Sequence, residues 1–262
     1  MSAPAETTET FSVSVTGSVV ATSAFFALTA LAGPTTLTLA IAVTVVVIAW
    51  GWAGALGLPT PRGTVGVLLL GGLAILLSVW LPEDSSHLNW LPGALAVSIM
   101  TAFLHQLLRR DGRPRVAESV SAVLLALALF TCSAFLIPLT RTENGTLLVI
   151  AAMSAAAASA VVGVATRRLA VSLRPWIVPI TLVAGGVCAG LVSLGSEASW
   201  TSFVLIGVVC AALSHAVRLI FAVLPTMAHA RPRVVVALSS VLVIGVIPYA
   251  AALLLVPSAL PL

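Results

Sequence analysis

Nine runs of roughly twenty apolar residues, each about as long as a helix needs to cross a bilayer core, follow one another with only short polar stretches between them. They fall near 12–32, 36–56, 63–81, 89–108, 116–139, 145–165, 175–195, 199–224 and 232–257, and they take up most of the 262 residues. Backbone polar groups inside lipid must be satisfied within a helix or a closed barrel. The runs are continuously apolar and do not alternate, which excludes a barrel. The expected fold is therefore all-α: a polytopic helical bundle of about nine membrane helices. No linker is long enough to hold a soluble domain, so residues 1–262 form one domain.

Composition agrees. Charged residues make up 8% of the chain and hydrophobic ones 60%, with a mean hydropathy of +1.18. A soluble domain carries about 25% charged residues, so this chain has too little polar surface to cover a globule in water. That argues against a cytosolic enzyme, a nucleic-acid-binding module and a disordered tail. The pI near 9.8 does not revive a nucleic-acid reading, because the charge is spread over short loops. All twelve basic residues are arginine. Together with the Ala, Val and Leu bias, this suggests a high-GC, actinobacterium-like source. Cys132, Cys188 and Cys210 lie in three different spans, where a thiol acts as a small hydrophobe and no disulfide or metal spacing arises.

The loops set an expected orientation. Those after the second, fourth, sixth and eighth runs carry Arg62; Arg109, Arg110, Arg113 and Arg115; Arg167, Arg168 and Arg174; and Arg231 and Arg233. The opposite loops carry Arg141 alone, beside Glu83, Asp84, Glu143 and Glu197. The positive-inside rule puts the arginine-rich loops in the cytoplasm of a bacterial plasma membrane. The N-terminus is then cytoplasmic and the C-terminus outside. Trp50, Trp52 and Trp176 fall near the inner span ends, and Trp80, Trp90 and Trp200 near the outer ones, as amphipathic rings prefer. Residues 1–11 lack the basic start of a signal peptide and carry Glu6 and Glu9, so the first run is read as retained.

Packing is expected to rest on small residues. The sixth run, with Ala151, Ala152, Ser154, Ala155 to Ala158, Ser159 and Ala160, is placed centrally. Gly186 and Gly190 form a GxxxG in the seventh, and Gly185 with Ala189 a weaker version of it. Pro179 and Pro248 are expected to kink the seventh and ninth spans.

Chemistry is sparse. The sequence has no HExxH, DxxxD, GxSxG, Walker loop or GxGxxG before a helix. Asp84 and Asp111 are its only aspartates, and both lie in loops. No catalytic residue, metal site or cofactor is expected, and the chain is read as a non-enzyme. The remaining polar side chains gather toward the inner face. His105 with Arg109, and Gln106 with Arg110, are i,i+4 pairs; His215 and Arg218 are i,i+3. Glu118, one turn inside the fifth span, is the only acid at the level of Arg218, so an ion pair between the fifth and eighth spans is expected. Structurally, the cluster is snorkelling arginines and one register-fixing pair. Functionally, His105, Arg109, Arg110, Glu118, His215 and Arg218 form a substrate or lipid-headgroup site for an anion at the inner leaflet, with the two histidines able to move a proton.

Two functions follow. One is a permease-like transporter or lipid-handling protein whose partners are membrane lipids with anionic headgroups. The other is a non-catalytic scaffold or subunit of an envelope-assembly complex, with a membrane-protein partner. Neither involves nucleic acid.

Overall fold

A computed structural model describes residues 3–81, 88–109, 115–142, 144–167, 175–196 and 199–255, with the side chains of residues 3–12, 167 and 255 left aside. Among these residues there are helices and no strands. Nine helical segments are long and apolar enough to span a membrane: Val13–Leu31, Pro34–Leu56, Pro61–Trp80, Leu91–Leu108, Val116–Leu139, Gly145–Thr166, Ile177–Gly195, Trp200–Ala222 and Ala230–Leu254. They are numbered first to ninth below. The chain is a multi-pass membrane protein.

The bundle has two groups of helices. The second, third, fourth and fifth pack on one another, and the first joins the sixth, seventh and eighth. The ninth lies between the groups, against the first, second, fifth and eighth. The sixth helix is central, as its small residues predict: Ala151, Ala152, Ala155 and Ala156 are fully buried.

Trp52 departs from expectation. It is not an interface ring but is fully buried, with its indole Nε1 donating to the Ala122 carbonyl on the fifth helix at 2.8 Å. The Phe221 ring of the eighth helix meets it edge-on, 6.2 Å between centroids. Two residues along a helix is a rotation of about 200°, so Trp50 faces the other way. It is exposed, and the Arg231 guanidinium stacks 3.5 Å from its ring centroid.

Described residues of the loops after the second, fourth and eighth helices meet at one end. Arg115 Nη1 donates to the Gly57 carbonyl at 2.9 Å, and Thr226 Oγ1 to the Ala55 carbonyl at 2.6 Å. These contacts tie together the loops after the second, fourth and eighth helices. At the opposite end Arg141 Nη2 donates to the Trp80 carbonyl at 2.8 Å, and Ser196 Oγ to Asn144 Oδ1 at 3.4 Å.

The prolines act by position. The regular part of the ninth helix stops at Leu242, and a tighter turn covers Val243–Gly245 before it resumes at Val246. Pro248 lacks the N–H that would bond Ile244 and crowds that carbonyl. Pro138, not singled out from sequence, does the same to Ala134, where the fifth helix is interrupted. Pro179 gives no such break, contrary to expectation. The helix starts at Ile177, so Pro179 is in a first turn whose N–H groups have no intrahelical partner in any case.

The contact between the seventh and eighth helices also differs in detail. The seventh and eighth helices bring their backbones close at Gly185 and Gly207, where a Cβ on Gly185 would stand 2.9 Å from the Gly207 carbonyl oxygen. The weaker-looking Gly185/Ala189 pair makes it, because the eighth helix answers with Gly207 and Ala211. Gly186 and Gly190 instead meet the side chains of Val208 and Val204.

Candidate functional site

The polar residues singled out from sequence fall into three places, all toward the arginine-rich end. The first is the end of the fourth helix. Arg109 Nη1 donates to Gln106 Oε1 at 2.7 Å, and both side chains are buried. Arg109 follows the last helical residue, where a cation is favoured by the helix dipole. One turn earlier the His105 imidazole fills the notch left by Gly63 on the third helix, a space that any Cβ at position 63 would need. Arg110 lies outside the described residues.

The second place is the start of the fifth helix. Arg115 Nε donates to Glu118 Oε2 at 2.6 Å, and both side chains are about half exposed. This overturns the expected ion pair between Glu118 and Arg218. Glu118 lies in the first turn of its helix, is exposed, and has a partner three residues before it. An exposed pair of this kind adds little stability. It serves to hold Arg115 over the Gly57 carbonyl.

The third place is where the sixth, seventh and eighth helices meet. Arg218 Nη1 donates to Ser214 Oγ at 2.8 Å, and Arg218 Nη2 donates to Ser159 Oγ of the sixth helix at 2.9 Å. Ser214 and Ser159 are fully buried. Helical side chains lean toward the helix N-terminus, so on the eighth helix Arg218 reaches away from the arginine-rich end. It does not snorkel outward. Its hydroxyl partners lie eight residues from their helix ends, about 12 Å at 1.5 Å per residue. His215 is buried beside Gly163, which a Cβ would bring to 4.0 Å from the imidazole Cε1 and Nδ1 and to 3.7 Å from Thr181 Cγ2. One position thus touches three helices.

The structure brings His215 and Arg218 into one cluster, places His105 and Arg109 on the fourth helix, and leaves Glu118 with Arg115. The fourth helix packs on the third and fifth, whereas the eighth packs on the sixth, seventh and ninth. Ser159, Ser214, Gly163 and Thr181 were missed as site residues. The i,i+4 spacing of Ser214 and Arg218 was a usable signal; the approach of Ser159 had none.

Most hydroxyls within the spans do what isolated helices allow. Thr44, Ser98 and Thr131 donate to the carbonyls four residues back. Ser239 differs: its buried Oγ has no hydrogen-bond partner among the described residues. Among these residues no three His, Cys, Asp or Glu side chains come together as a metal site. Two cavities bordering the bundle are lined by described residues. One, of about 390 Å³ at the end away from the arginine-rich loops, is lined by Pro34, Thr35, Trp80, Leu81 and Arg141. The other is an apolar trench of about 480 Å³ between the seventh and eighth helices.

No protein-family model, curated protein or solved structure matches the chain.

Proposed function

We propose that this protein handles an anionic, membrane-borne molecule at the inner leaflet of the plasma membrane, as a lipid-handling or permease-like protein without catalytic chemistry of its own. In this reading the arginine-rich end is cytoplasmic and the headgroup binds at Ser159, Ser214, His215 and Arg218. The observation that carries it is the Arg218 guanidinium, which is drawn into the apolar length of the bundle and aimed by hydroxyls from two helices. A planar fork held in place suits the two oxygens of a phosphate group better than a flexible ammonium does. Basic pockets between helices on the cytoplasmic side are a recurrent means of recognising acidic headgroups. The buried imidazole one turn away adds a group able to donate to the same anion.

The test is lipid retention. Purified in mild detergent and examined by native mass spectrometry, the wild-type protein is expected to keep phosphatidylglycerol in preference to phosphatidylcholine. Arg218→Gln should lower that retention about tenfold, the scale of one charge-assisted contact, while Arg62→Gln, at the exposed start of the third helix, leaves it unchanged. Equal retention by Arg218→Gln and wild type would remove the reading.

A scaffold role is the second reading. It draws on the fourth helix, of which only 22% is buried within the chain and which turns Met100, Phe103, Leu104, Leu107 and Leu108 outward. Such a face suits lipid as well as a partner, so it supports this reading less than Arg218 supports the first.

A further inference from the structure

We infer that Arg231 and Trp50 form a separate lipid site on the outside of the bundle: a clamp for the phosphodiester of an anionic phospholipid in the leaflet at the arginine-rich end. It stands independently of the Arg218 reading. Arg109, Arg115, Arg141, Arg218 and Arg233 each donate to an oxygen of the chain. Arg231 is exposed and donates to none among the described residues, yet it is held in place. Its stem lies in the notch left by Gly51 on the second helix, where a Cβ would stand 3.5 Å from Arg231 Cγ and run into Val235 Cγ2. Its guanidinium lies over the Trp50 ring, 3.5 Å from the centroid. A guanidinium carries five N–H donors in its plane, and stacking takes up a face while leaving the edge that binds two oxygens. Packing has thus fixed a planar fork whose donors are unspent.

Depth and register decide which oxygens meet it. Gly51 is five residues, about 7.5 Å, from the end of the second helix at Leu56, which is the edge of the span and not its middle. Trp50 closes a stripe of Leu39, Val43 and Val46, all four more than half exposed. At about 100° per residue these positions fall within an arc of about 60°. In a multi-pass membrane protein such a stripe lies against acyl chains, and the aromatic ring at its end sits at the headgroup level. The acceptor within reach there is a lipid phosphate whose chains run along Val46, Val43 and Leu39. A free phosphate has no use for the stripe, and a headgroup with a cation of its own would set a like charge beside the guanidinium. An acidic phospholipid such as phosphatidylglycerol meets both conditions.

The experiment titrates the full-length protein with dioleoyl-phosphatidylglycerol in mild detergent and reads each bound lipid by native mass spectrometry. Arg231→Gln is expected to weaken one lipid site about tenfold, the scale of a charge-assisted fork, and to do so equally in the wild-type and Arg218→Gln backgrounds. Arg231→Lys, a point charge without the fork, should recover only part of the loss. Trp50→Leu should weaken the same site about threefold, the scale of an exposed cation–π contact. Both positions are exposed, so the variants keep the bundle intact. Millimolar inorganic phosphate should leave the lipid in place. Wild-type affinity in Arg231→Gln or in Trp50→Leu would overturn the inference, whatever Arg218→Gln does. Displacement by inorganic phosphate would assign the fork to a free anion and refute it too. So would a membrane protein, in place of lipid, cross-linking through Val46→Cys.

Discussion

Trp52→Ala is expected to destabilise the bundle by about 3 kcal/mol or more, the scale of emptying a buried indole site. In lipid the loss does not come from returning apolar surface to water, because the surroundings are apolar already. It comes from dispersion contacts forfeited around the hole, from the edge contact with Phe221 and from the hydrogen bond to the Ala122 carbonyl. Trp52 joins the second helix to the fifth and to the eighth, so its removal loosens the joint between the two helix groups. Trp52→Phe keeps most of the volume and gives up the hydrogen bond, and should cost about 1 kcal/mol. Trp50→Ala, on the outward face, should cost under about 1 kcal/mol, since it removes an exposed cation–π contact. Unfolding in mixed detergent micelles orders the three variants. Equal losses at positions 50 and 52 would show that position 52 is not a core residue.

Gly245→Ala is expected to cost about 1–3 kcal/mol, the range for overpacking a close-packed contact. A Cβ at 245 would run into the Cys132 carbonyl of the fifth helix, with the Ser133 backbone 3.0 Å away. Backbone cannot swing aside as a side chain can, so the interrupted segments of the fifth and ninth helices would have to separate. Gly207→Ala should behave similarly, its Cβ falling 2.5 Å from the Gly185 carbonyl oxygen. Gly163→Ala and Gly17→Ala are the controls: the first meets only ordinary van der Waals distances and the second open space. Both should be neutral, or stabilising by about 0.5–1 kcal/mol from alanine's better helix propensity. The same unfolding measurement applies, and a destabilised Gly17→Ala alongside an unaffected Gly245→Ala would reverse the packing described.

The spans were legible because hydrocarbon thickness leaves a chain little freedom. The seventh, expected at 175–195, is found at Ile177–Gly195, and the fifth runs over Val116–Leu139, as the apolar run indicates. The central place of the sixth helix was legible too, since a run of alanines offers lipid little and permits close backbones. What sequence does not carry is azimuth and neighbour. Depth put Glu118 level with Arg218, but the fifth helix turns Glu118 outward beside Arg115, and the sixth supplies a serine in its stead. Proximity to a span end made Trp52 look like Trp50, although helical rotation already separated them. Pro179 and Pro248 read alike until the helix start at Ile177 is known. For the candidate site, the shared helix face of His215 and Arg218 was visible as i,i+3 spacing. The convergence of Ser159, Gly163 and Thr181 on it depends on tertiary packing alone.

Labelling from the two sides of the membrane tests the arrangement most directly. In a background lacking Cys132, Cys188 and Cys210, single cysteines replace Leu194 or Val223, which lie at opposite ends of the bundle with exposures of 83% and 82%. With nine spans and the arginine-rich loops inside, a membrane-impermeant maleimide added to intact cells should label Leu194→Cys at once and Val223→Cys only after permeabilisation. Labelling of Val223→Cys in intact cells, with Leu194→Cys protected, would contradict the orientation and remove the inner-leaflet site with it.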